Sequence, residues 1–133
     1  EKNNTDCINC SNDLDWKFIA TVKKSVEDNM DNPSFNVDVL CNLLNMSRTS
    51  FYNKIKALTD QAPADYIRLI RLKHAAQLLK EQKHTITEIS ELTGFSDAKY
   101  FREVFKKHFD MSPSQYAKRG KEGKEGKDDK EIK

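Results

Sequence analysis

Apolar residues recur at helical spacing along most of the chain, and no stretch alternates polar and apolar residues for long enough to predict a strand. The pattern predicts an all-α fold of about seven helices. Their expected spans are about residues 14–29, 37–44, 48–58, 64–81, 86–93 and 96–109, followed by a short seventh helix from residue 113. Thr85 and Glu88 form a capping-box pattern ahead of the fifth helix. Pro63 and Pro113 suit the first turns of the fourth and seventh helices, where a missing N–H is tolerated.

The long fourth helix is apolar on two sides. Its two stripes consist of Leu69, Leu72, Ala76 and Leu79, and of Ile67, Ile70, Ala75 and Leu78. A helix that is apolar on more than one side is packed on more than one side. This helix is therefore predicted to be a connecting strut with an apolar cluster at each end.

The segment from residue 36 to residue 119 contains the same helical unit twice. Each copy consists of a short helix, a turn of three to four residues and a second amphipathic helix. At an offset of 50, the matching pairs are Phe51 and Phe101, Ile55 and Phe105, Lys56 and Lys106, Asp60 and Asp110, Pro63 and Pro113, and Tyr66 and Tyr116. Upstream the offset falls to 49, so the second copy has one extra residue in or near its turn. This is the helix-turn-helix pattern, in which the second helix enters the DNA major groove.

The repeat divides the chain into six segments. They are a linker (1–13), a leading helix (14–35), a first helix-turn-helix (36–62), a connecting helix (63–82), a second helix-turn-helix (83–119) and a disordered charged tail (120–133). A connecting helix of about 18 residues would span roughly 27 Å. That length could hold two recognition helices roughly 34 Å apart, the distance between successive major grooves on one face of DNA.

Charge is distributed unevenly along the 133 residues. Residues 36–119 contain 14 Lys and Arg against nine Asp and Glu, whereas residues 1–35 contain four against seven. A basic excess in the repeated segment is typical of nucleic-acid binding. No apolar run approaches a membrane span, and no signal peptide opens the chain. Three cysteines without secretory features predict a reducing, cytoplasmic location.

Most of the chain resembles the DNA-binding domain of AraC/XylS-type bacterial transcription activators. The resemblance rests on "YIRLIRLKHAAQLL" (66–79), "ITEISELTGFSDAKYFREVFKKHF" (86–109) and "SPSQY" (112–116), and it covers about residues 37–119. It implies double-stranded DNA as the partner and recruitment of RNA polymerase. The preceding "DWKFIATVKKSVEDNMDNPSFNVDVL" resembles the C-terminal output domains of Bacteroides-type hybrid two-component regulators. That resemblance implies upstream receiver and sensor domains in a parent protein, which could be anchored in the inner membrane.

The chain departs from this family at the ends of both recognition helices. The family usually has Gly there, where a left-handed residue is needed, and this chain has Asp60 and Asp110. Asp tolerates that conformation less well than Gly, so we expect a small loss of stability and an intact fold.

The first recognition helix has an outward face that suits base reading. Its predicted base-reading residues are Arg48, Thr49, Tyr52 and Asn53. For Thr49, Tyr52 and Asn53 this role is what the resemblance implies, because the matching positions read bases in the family. Asn can pair bidentately with adenine, and the Thr methyl can contact the thymine methyl. Arg48 and Lys56 suit phosphate or guanine. Ser47 is a further phosphate or base contact, or it simply caps the helix.

The second recognition helix carries a mixed outward face. Its predicted phosphate or base contacts are Ser96, Lys99, Tyr100, Arg102 and Lys106. Asp97 and Glu103 lie poorly against phosphates, although Glu can accept a hydrogen bond from cytosine. This half is therefore expected to rely on backbone contacts, which position a protein without specifying sequence. The alternative for either face is a merely solvated surface, and Ser96 could simply cap its helix.

The function predicted from these residues is sequence-specific binding of double-stranded DNA and regulation of transcription. An isolated monomer should occupy an asymmetric site of roughly 17–20 base pairs. One alternative is a helical protein–protein interaction module. Another is a zinc or redox module on Cys7 and Cys10, but a single C-x-x-C lacks the second ligand pair of a zinc site. No catalytic constellation, metal or cofactor is expected.

Overall fold

The structure of the protein is a computed structural model that describes residues 12–126. Its helices confirm the predicted all-α fold. They are α1 (Asp13–Asp28), α2 (Val37–Leu44), α3 (Arg48–Thr59), α4 (Pro63–Glu81), α5 (Ile86–Leu92), α6 (Ala98–Phe109) and α7 (Pro113–Gly126). Within residues 12–126, no helix combines the length and apolar character that crossing a bilayer requires.

Side-chain caps fix where several helices begin. Asn12 Oδ1 accepts a hydrogen bond from Asp15 N at 2.9 Å, and the Asn36 side chain caps α2 in the same way. At α5, Glu88 N donates to Thr85 Oγ1 at 3.1 Å, and Thr85 N donates to Glu88 Oε1 at 2.9 Å. These bonds satisfy backbone N–H groups that have no partner inside a helix. The predicted capping box is therefore confirmed.

The chain forms two compact units, which we call lobe 1 (residues 12–30 and 34–71) and lobe 2 (residues 31–33 and 72–126). The buried apolar core of lobe 1 draws on α1, the segment after it, α2, α3 and the first part of α4. It consists of Ile19, Val22, Val26, Met30, Phe35, Leu40, Cys41, Phe51, Ile55, Leu58, Tyr66, Ile67 and Ile70. The helix that precedes the first helix-turn-helix is thus part of its core.

Lobe 2 has a core rich in aromatic residues. Its buried members are Leu72, Ala75, Ala76, Leu79, Ile89, Phe95, Phe101 and Phe105. The Phe105 ring lies 5.7 Å from Phe101, 4.4 Å from Phe109 and 5.5 Å from Tyr116, measured between ring centroids. Two of these distances lie within the range of about 4.5–7 Å for favourable aromatic pairs, and the Phe105–Phe109 distance lies at its short limit. Phe105 therefore lies at the centre of an aromatic cluster.

The connecting helix α4 contributes to both cores, as its apolar residues predict. The division falls along the helix, however, and does not follow the two stripes. Leu69 and Ile70 come from different stripes and both pack in lobe 1, whereas Leu72 and Ala75 come from different stripes and both lie in lobe 2.

Arg71 is buried in lobe 1. The sequence predicts a carboxylate partner for it, such as Asp65 or Glu88. In the structure Arg71 Nη1 donates to the Met30 carbonyl at 2.6 Å and Nη2 donates to the Phe35 carbonyl at 3.1 Å. Burial lowers the pKa of the guanidinium, but an arginine in a protein stays charged. Arg71 thus fastens the segment after α1 to α4.

Two predicted features differ in the structure. The spacing of Ile86, Ile89 and Leu92 predicts that all three face inward, but Leu92 is 38% exposed, and its counterpart Leu43 in α2 is 58% exposed. The last helix continues to Gly126, seven residues into the segment predicted as a disordered tail, and for residues 120–126 the structure corrects that prediction. Lys and Glu favour helix, but three of these seven residues are glycines, each of which disfavours helix by about 1 kcal/mol relative to alanine. The helix continues here as an extension of a helix already formed, which needs no new nucleus. The rest of the predicted tail lies outside the described residues.

Candidate nucleic-acid interface

The turn between α2 and α3 consists of Asn45, Met46 and Ser47. Asn45 has φ 56°, and Met46 N donates to the Cys41 carbonyl at 3.0 Å while Asn45 N donates to the Asn42 carbonyl at 3.2 Å. This pair of bonds is the Schellman motif, which ends a helix with a left-handed residue. It ends α2, and three residues later α3 starts at Arg48.

The turn between α5 and α6 repeats the motif and then becomes longer. Gly94 has φ 79°, and Phe95 N donates to the Ser90 carbonyl at 2.9 Å. Five residues, 93–97, separate α5 from α6, compared with three in the first copy. One of the two additional residues arises because α5 ends one position earlier than its counterpart α2, and the other is the predicted insertion. The three-to-four-residue prediction is therefore right for the first turn and short for the second.

Helix α3 is held in lobe 1 by one apolar face. Phe51, Ile55 and Leu58 are buried, as the spacing predicts, so the opposite face is exposed. All six predicted contact residues on this copy are exposed: Ser47, Arg48, Thr49, Tyr52, Asn53 and Lys56. Ser47 also caps the helix, because its Oγ accepts a hydrogen bond from Ser50 N at 3.0 Å.

Four of these residues lie together in one groove. Arg48, Thr49, Tyr52 and Asn53 line it from α3. The other lining residues are Val37, Ala62, Pro63 and Ala64, at the starts of α2 and α4. Ser47 and Lys56 are not among its lining residues. The structure thus brings together the residues predicted to read bases.

Two basic side chains of α3 have ion-pair partners in lobe 1. Arg48 Nη1 donates to Asp38 Oδ1 of α2. Lys54 Nζ lies 3.6 Å from Asp15 Oδ1 and 5.1 Å from the centre of the Phe18 ring, so α1 supports the recognition helix. Sequence reasoning did not identify Asp38 because it lies ten residues ahead of Arg48, beyond any helical spacing.

Helix α6 is held in lobe 2 by Phe101 and Phe105, which are buried. Its predicted contact residues are all exposed: Ser96, Lys99, Tyr100, Arg102 and Lys106. The interpretation of Ser96 as a cap is wrong. Asp97 is the N-cap, and its Oδ1 accepts a hydrogen bond from Lys99 N at 2.9 Å. Ser96 is left exposed in the longer turn.

The two recognition helices differ in the charges that they carry. Helix α3 (RTSFYNKIKALT) has three basic residues and no acidic residue. Helix α6 (AKYFREVFKKHF) has four basic residues, the acidic Glu103 and the acidic cap Asp97. Helix α3 itself therefore carries no carboxylate, and the acidic side chain beside Arg48 is Asp38 of α2, whereas α6 carries its own.

The cysteine residues form no visible site in the described part of the chain. Cys7 and Cys10 lie outside the described residues. Cys41 is buried in the lobe 1 core, and burial raises the pKa of its thiol. Among the side chains described, no three His, Cys, Asp or Glu residues lie close enough together to hold a metal ion.

Fold and site together define a tandem helix-turn-helix unit in which each lobe presents an exposed basic helix. The sequence profile of a family described as a helix-turn-helix domain matches residues 40–119. The Msm operon regulatory protein of Streptococcus mutans is 33% identical over 108 residues, which are 81% of this chain and 38% of that protein. The transcriptional activator RhaR of Pectobacterium carotovorum is 35% identical over 85 residues, which are 64% of this chain and 30% of that protein.

A histidine kinase, named P4, from Formosa agariphila is 45% identical over 106 residues, which are 80% of this chain and 8% of the kinase. The chain therefore spans only a small part of these relatives. Among solved structures, the C-terminal domain of the response regulator yesN from Fusobacterium nucleatum is 27% identical with a TM-score of 0.69, covering 76% of this chain and 98% of that domain. The DNA-binding domain of AdpA, solved with a target DNA, has a TM-score of 0.71 at 23% identity, covering 81% of this chain and 95% of that domain.

The chain belongs to the AraC-type helix-turn-helix family of DNA-binding transcription regulators. The resemblance inferred from the sequence motifs is thereby confirmed.

Proposed function

We propose that this domain binds double-stranded DNA at specific sequences and regulates transcription, with α3 and α6 entering successive major grooves. The observation that supports this proposal best is the groove of lobe 1, where Arg48, Thr49, Tyr52 and Asn53 lie together on an exposed helix. Side chains at the start of a recognition helix are those that reach base edges in helix-turn-helix proteins.

In this proposal α3 reads bases. Asn53 pairs bidentately with an adenine, and the Thr49 methyl contacts a thymine methyl. Arg48 takes a guanine, and Tyr52 packs its ring against the adjacent base edges. Ser47 and Lys56 lie beside this set and contact phosphate.

Helix α6 mainly positions the protein. Lys99, Arg102 and Lys106 are exposed and contact phosphates, assisted by Ser96 and Tyr100. Glu103 would be repelled by phosphate, but it could accept a hydrogen bond from a cytosine amino group. Lobe 2 therefore contributes affinity that depends little on sequence.

We further infer that the domain is the output end of a longer signalling protein. The supporting observation is that 80% of the chain aligns with only 8% of a histidine kinase. The likeness to a response-regulator C-terminal domain points the same way. Receiver and sensor domains would lie upstream, and RNA polymerase would be the partner at the promoter. The isolated domain would act as a monomer in the cytoplasm, whether or not its parent is anchored in the inner membrane.

The test is selection of bound duplexes from a random-sequence pool, followed by titration at several salt concentrations. The wild-type chain should select one strong sequence block, read by α3, and a second block about one helical turn away that is much weaker because α6 contacts mainly phosphates. Asn53→Ala should relax one position in one block by a factor of about 5–100. Lys106→Ala should weaken binding to all duplexes alike and reduce the salt slope by about one.

Matched variants separate these effects from general damage. Asn42 is exposed on α2 and does not line the groove, so Asn42→Ala should leave the selected motif unchanged. Lys24 is exposed on α1, and Lys24→Ala should leave the salt slope unchanged. Weak, non-selective binding that Asn53→Ala does not alter would contradict the proposal. It would favour a helical interaction module instead.

A further inference from the structure

An ion pair joins the two helices of the first helix-turn-helix. Asp38 is the second residue of α2, and Arg48 is the first residue of α3. The Arg48 Nη1 donates to the Asp38 Oδ1. Arg48 also lines the groove together with Thr49, Tyr52 and Asn53. Asp38 does not line the groove itself, but it binds one of the side chains that do.

This pair contributes little to folding stability. The Arg48 side chain is 68% exposed and the Asp38 side chain is 64% exposed. Exposed ion pairs gain little, because water screens the two charges and ordering two side chains costs entropy. An effect of this pair on DNA binding is more important than its effect on stability, because bound DNA would exclude water from the groove and reduce the screening of the two charges.

The guanidinium group explains what that effect would be. Arginine presents five N–H donors on a rigid plane, so a carboxylate that engages Nη1 restricts the side chain and leaves the donors on Nε and Nη2 free for a second partner. A guanine offers two acceptors, O6 and N7, side by side in the major groove. Recognition of both requires that the plane of the guanidinium be aligned with the base.

We propose that Asp38 is a positioning residue that holds Arg48 for bidentate reading of a guanine and so sets the sequence preference of lobe 1. This inference rests on the proposed DNA-binding function. The Asp38 carboxylate also repels phosphate, which lowers affinity for every sequence alike. Only the alignment of Arg48 raises the ratio of specific to non-specific binding.

Lobe 2 has no counterpart of this pair. At the offsets of the repeat, Asp38 corresponds to Thr87 and Arg48 corresponds to Ala98. Neither of these side chains is charged. The ion pair is therefore not part of the repeated pattern. It is found in lobe 1, whose recognition helix has the outward face that suits base reading.

The experiment begins with the site that the wild-type chain selects, and every position of that site is then replaced by each other base. Arg48→Lys keeps the positive charge but loses the planar pair of donors that can bond guanine bidentately. It should lower the preference for guanine over the other bases at one position about tenfold. Asp38→Asn should lower discrimination at the same position about three- to tenfold, and it should raise affinity for random duplex DNA about two- to threefold. The double variant should discriminate no worse than Arg48→Lys alone, because the two residues act as one unit.

Asp28→Asn is the matched control. Asp28 belongs to an exposed ion pair with Lys24 on α1, so this variant changes the net charge of lobe 1 by the same amount without altering the groove. It should leave discrimination unchanged. Circular dichroism establishes that each variant is folded. If Asp38→Asn were not folded, Asp38→Glu would replace it, and the longer side chain should reduce discrimination at the same position.

Three results would overturn the inference. Asp38→Asn could raise affinity for all sequences and leave discrimination intact, in which case Asp38 only neutralises Arg48. Discrimination could instead fall at a position that Arg48→Lys does not affect. Finally, a wild-type chain that selects no motif would reject the proposed function itself, and this inference with it. That third result is obtained before any Asp38 variant is measured.

Discussion

The two lobes end their recognition helices with the same backbone geometry. Asp60 has φ 62° and ψ 21°, and Asp110 has φ 62° and ψ 20°. Each donates its N–H to the carbonyl four residues earlier, at 2.9 Å and 2.8 Å respectively. Three residues later a proline begins the next helix in both lobes. The two copies of the repeat thus share the backbone conformation at the end of the recognition helix and the position at which the next helix begins.

The cores of the two lobes differ in the kinds of side chain that they contain. Lobe 1 packs mainly aliphatic side chains and includes the buried Arg71, whose guanidinium bonds the Met30 and Phe35 carbonyls. Lobe 2 packs a continuous set of aromatic rings around Phe105. One backbone geometry therefore accepts two kinds of interior, because packing requires matched volume and shape more than any particular residue.

The largest expected effect comes from the aromatic core of lobe 2. Phe105 is fully buried and its ring contacts three other rings, so Phe105→Ala should lower the free energy of unfolding by about 3–5 kcal/mol. Urea titration followed by circular dichroism measures this loss. His108→Ala removes an exposed neighbouring ring and should cost less than about 1 kcal/mol. A loss near that of His108→Ala would show that the ring cluster does not hold lobe 2 together.

Replacement of the buried Arg71 in lobe 1 should produce the next largest loss in the free energy of unfolding. Arg71→Met keeps much of the apolar stem but removes both donors to the Met30 and Phe35 carbonyls, and it should cost about 2–3 kcal/mol. Trp16 is the only tryptophan and packs against the lobe 1 core, so its fluorescence in urea reports on the correct lobe.

Arg68→Met is the matched control for Arg71→Met. Arg68 pairs at 2.6 Å with Asp65 on the surface of the same helix, and its loss should cost about 0.5 kcal/mol or less. Equal losses for the two variants would mean that the buried carbonyl contacts of Arg71 are no stronger than a surface pair.

Local signals in the sequence predicted most of this fold. Helix boundaries followed from caps such as Thr85 with Glu88, and from prolines at helix starts, because these residues act on their immediate neighbours. The buried faces of α3 and α6 followed from apolar spacing. Because the opposite faces had to be exposed, the same spacing also predicted where the contact residues would lie.

The features that the sequence did not reveal depend on contacts between distant residues. Arg71 finds its partners about 40 positions away along the chain, at backbone carbonyls that carry no residue signature. Asp38 meets Arg48 only because the α2–α3 turn brings their helices together. Leu92 continues an apolar stripe but is the last residue of α5 and remains 38% exposed, because helical spacing does not tell how much of a stripe other elements cover.

The smallest predicted effect tests whether the two helix ends are as equivalent as their dihedral angles. A left-handed residue other than glycine carries a steric cost, and Asp also places a negative charge at the negative end of a helix. Asp60→Gly and Asp110→Gly should each raise the free energy of unfolding by about 0.5–1 kcal/mol, after the entropy that glycine loses on folding is subtracted. Trp16 fluorescence measures the first gain, and circular dichroism measures the second.

Asp60→Ala and Asp110→Ala are the matched controls for these glycine variants. They remove the charge but keep a Cβ atom, so they should give a smaller gain than the glycine variants. Similar gains for the two glycine variants would mean that the steric cost is set by the local backbone alone. Gains that differed by more than about 0.5 kcal/mol would show instead that the aliphatic and aromatic cores restrain their helix ends to different extents. A gain from the alanine variants equal to that from glycine would assign the effect to charge, and the left-handed geometry would then carry no measurable cost.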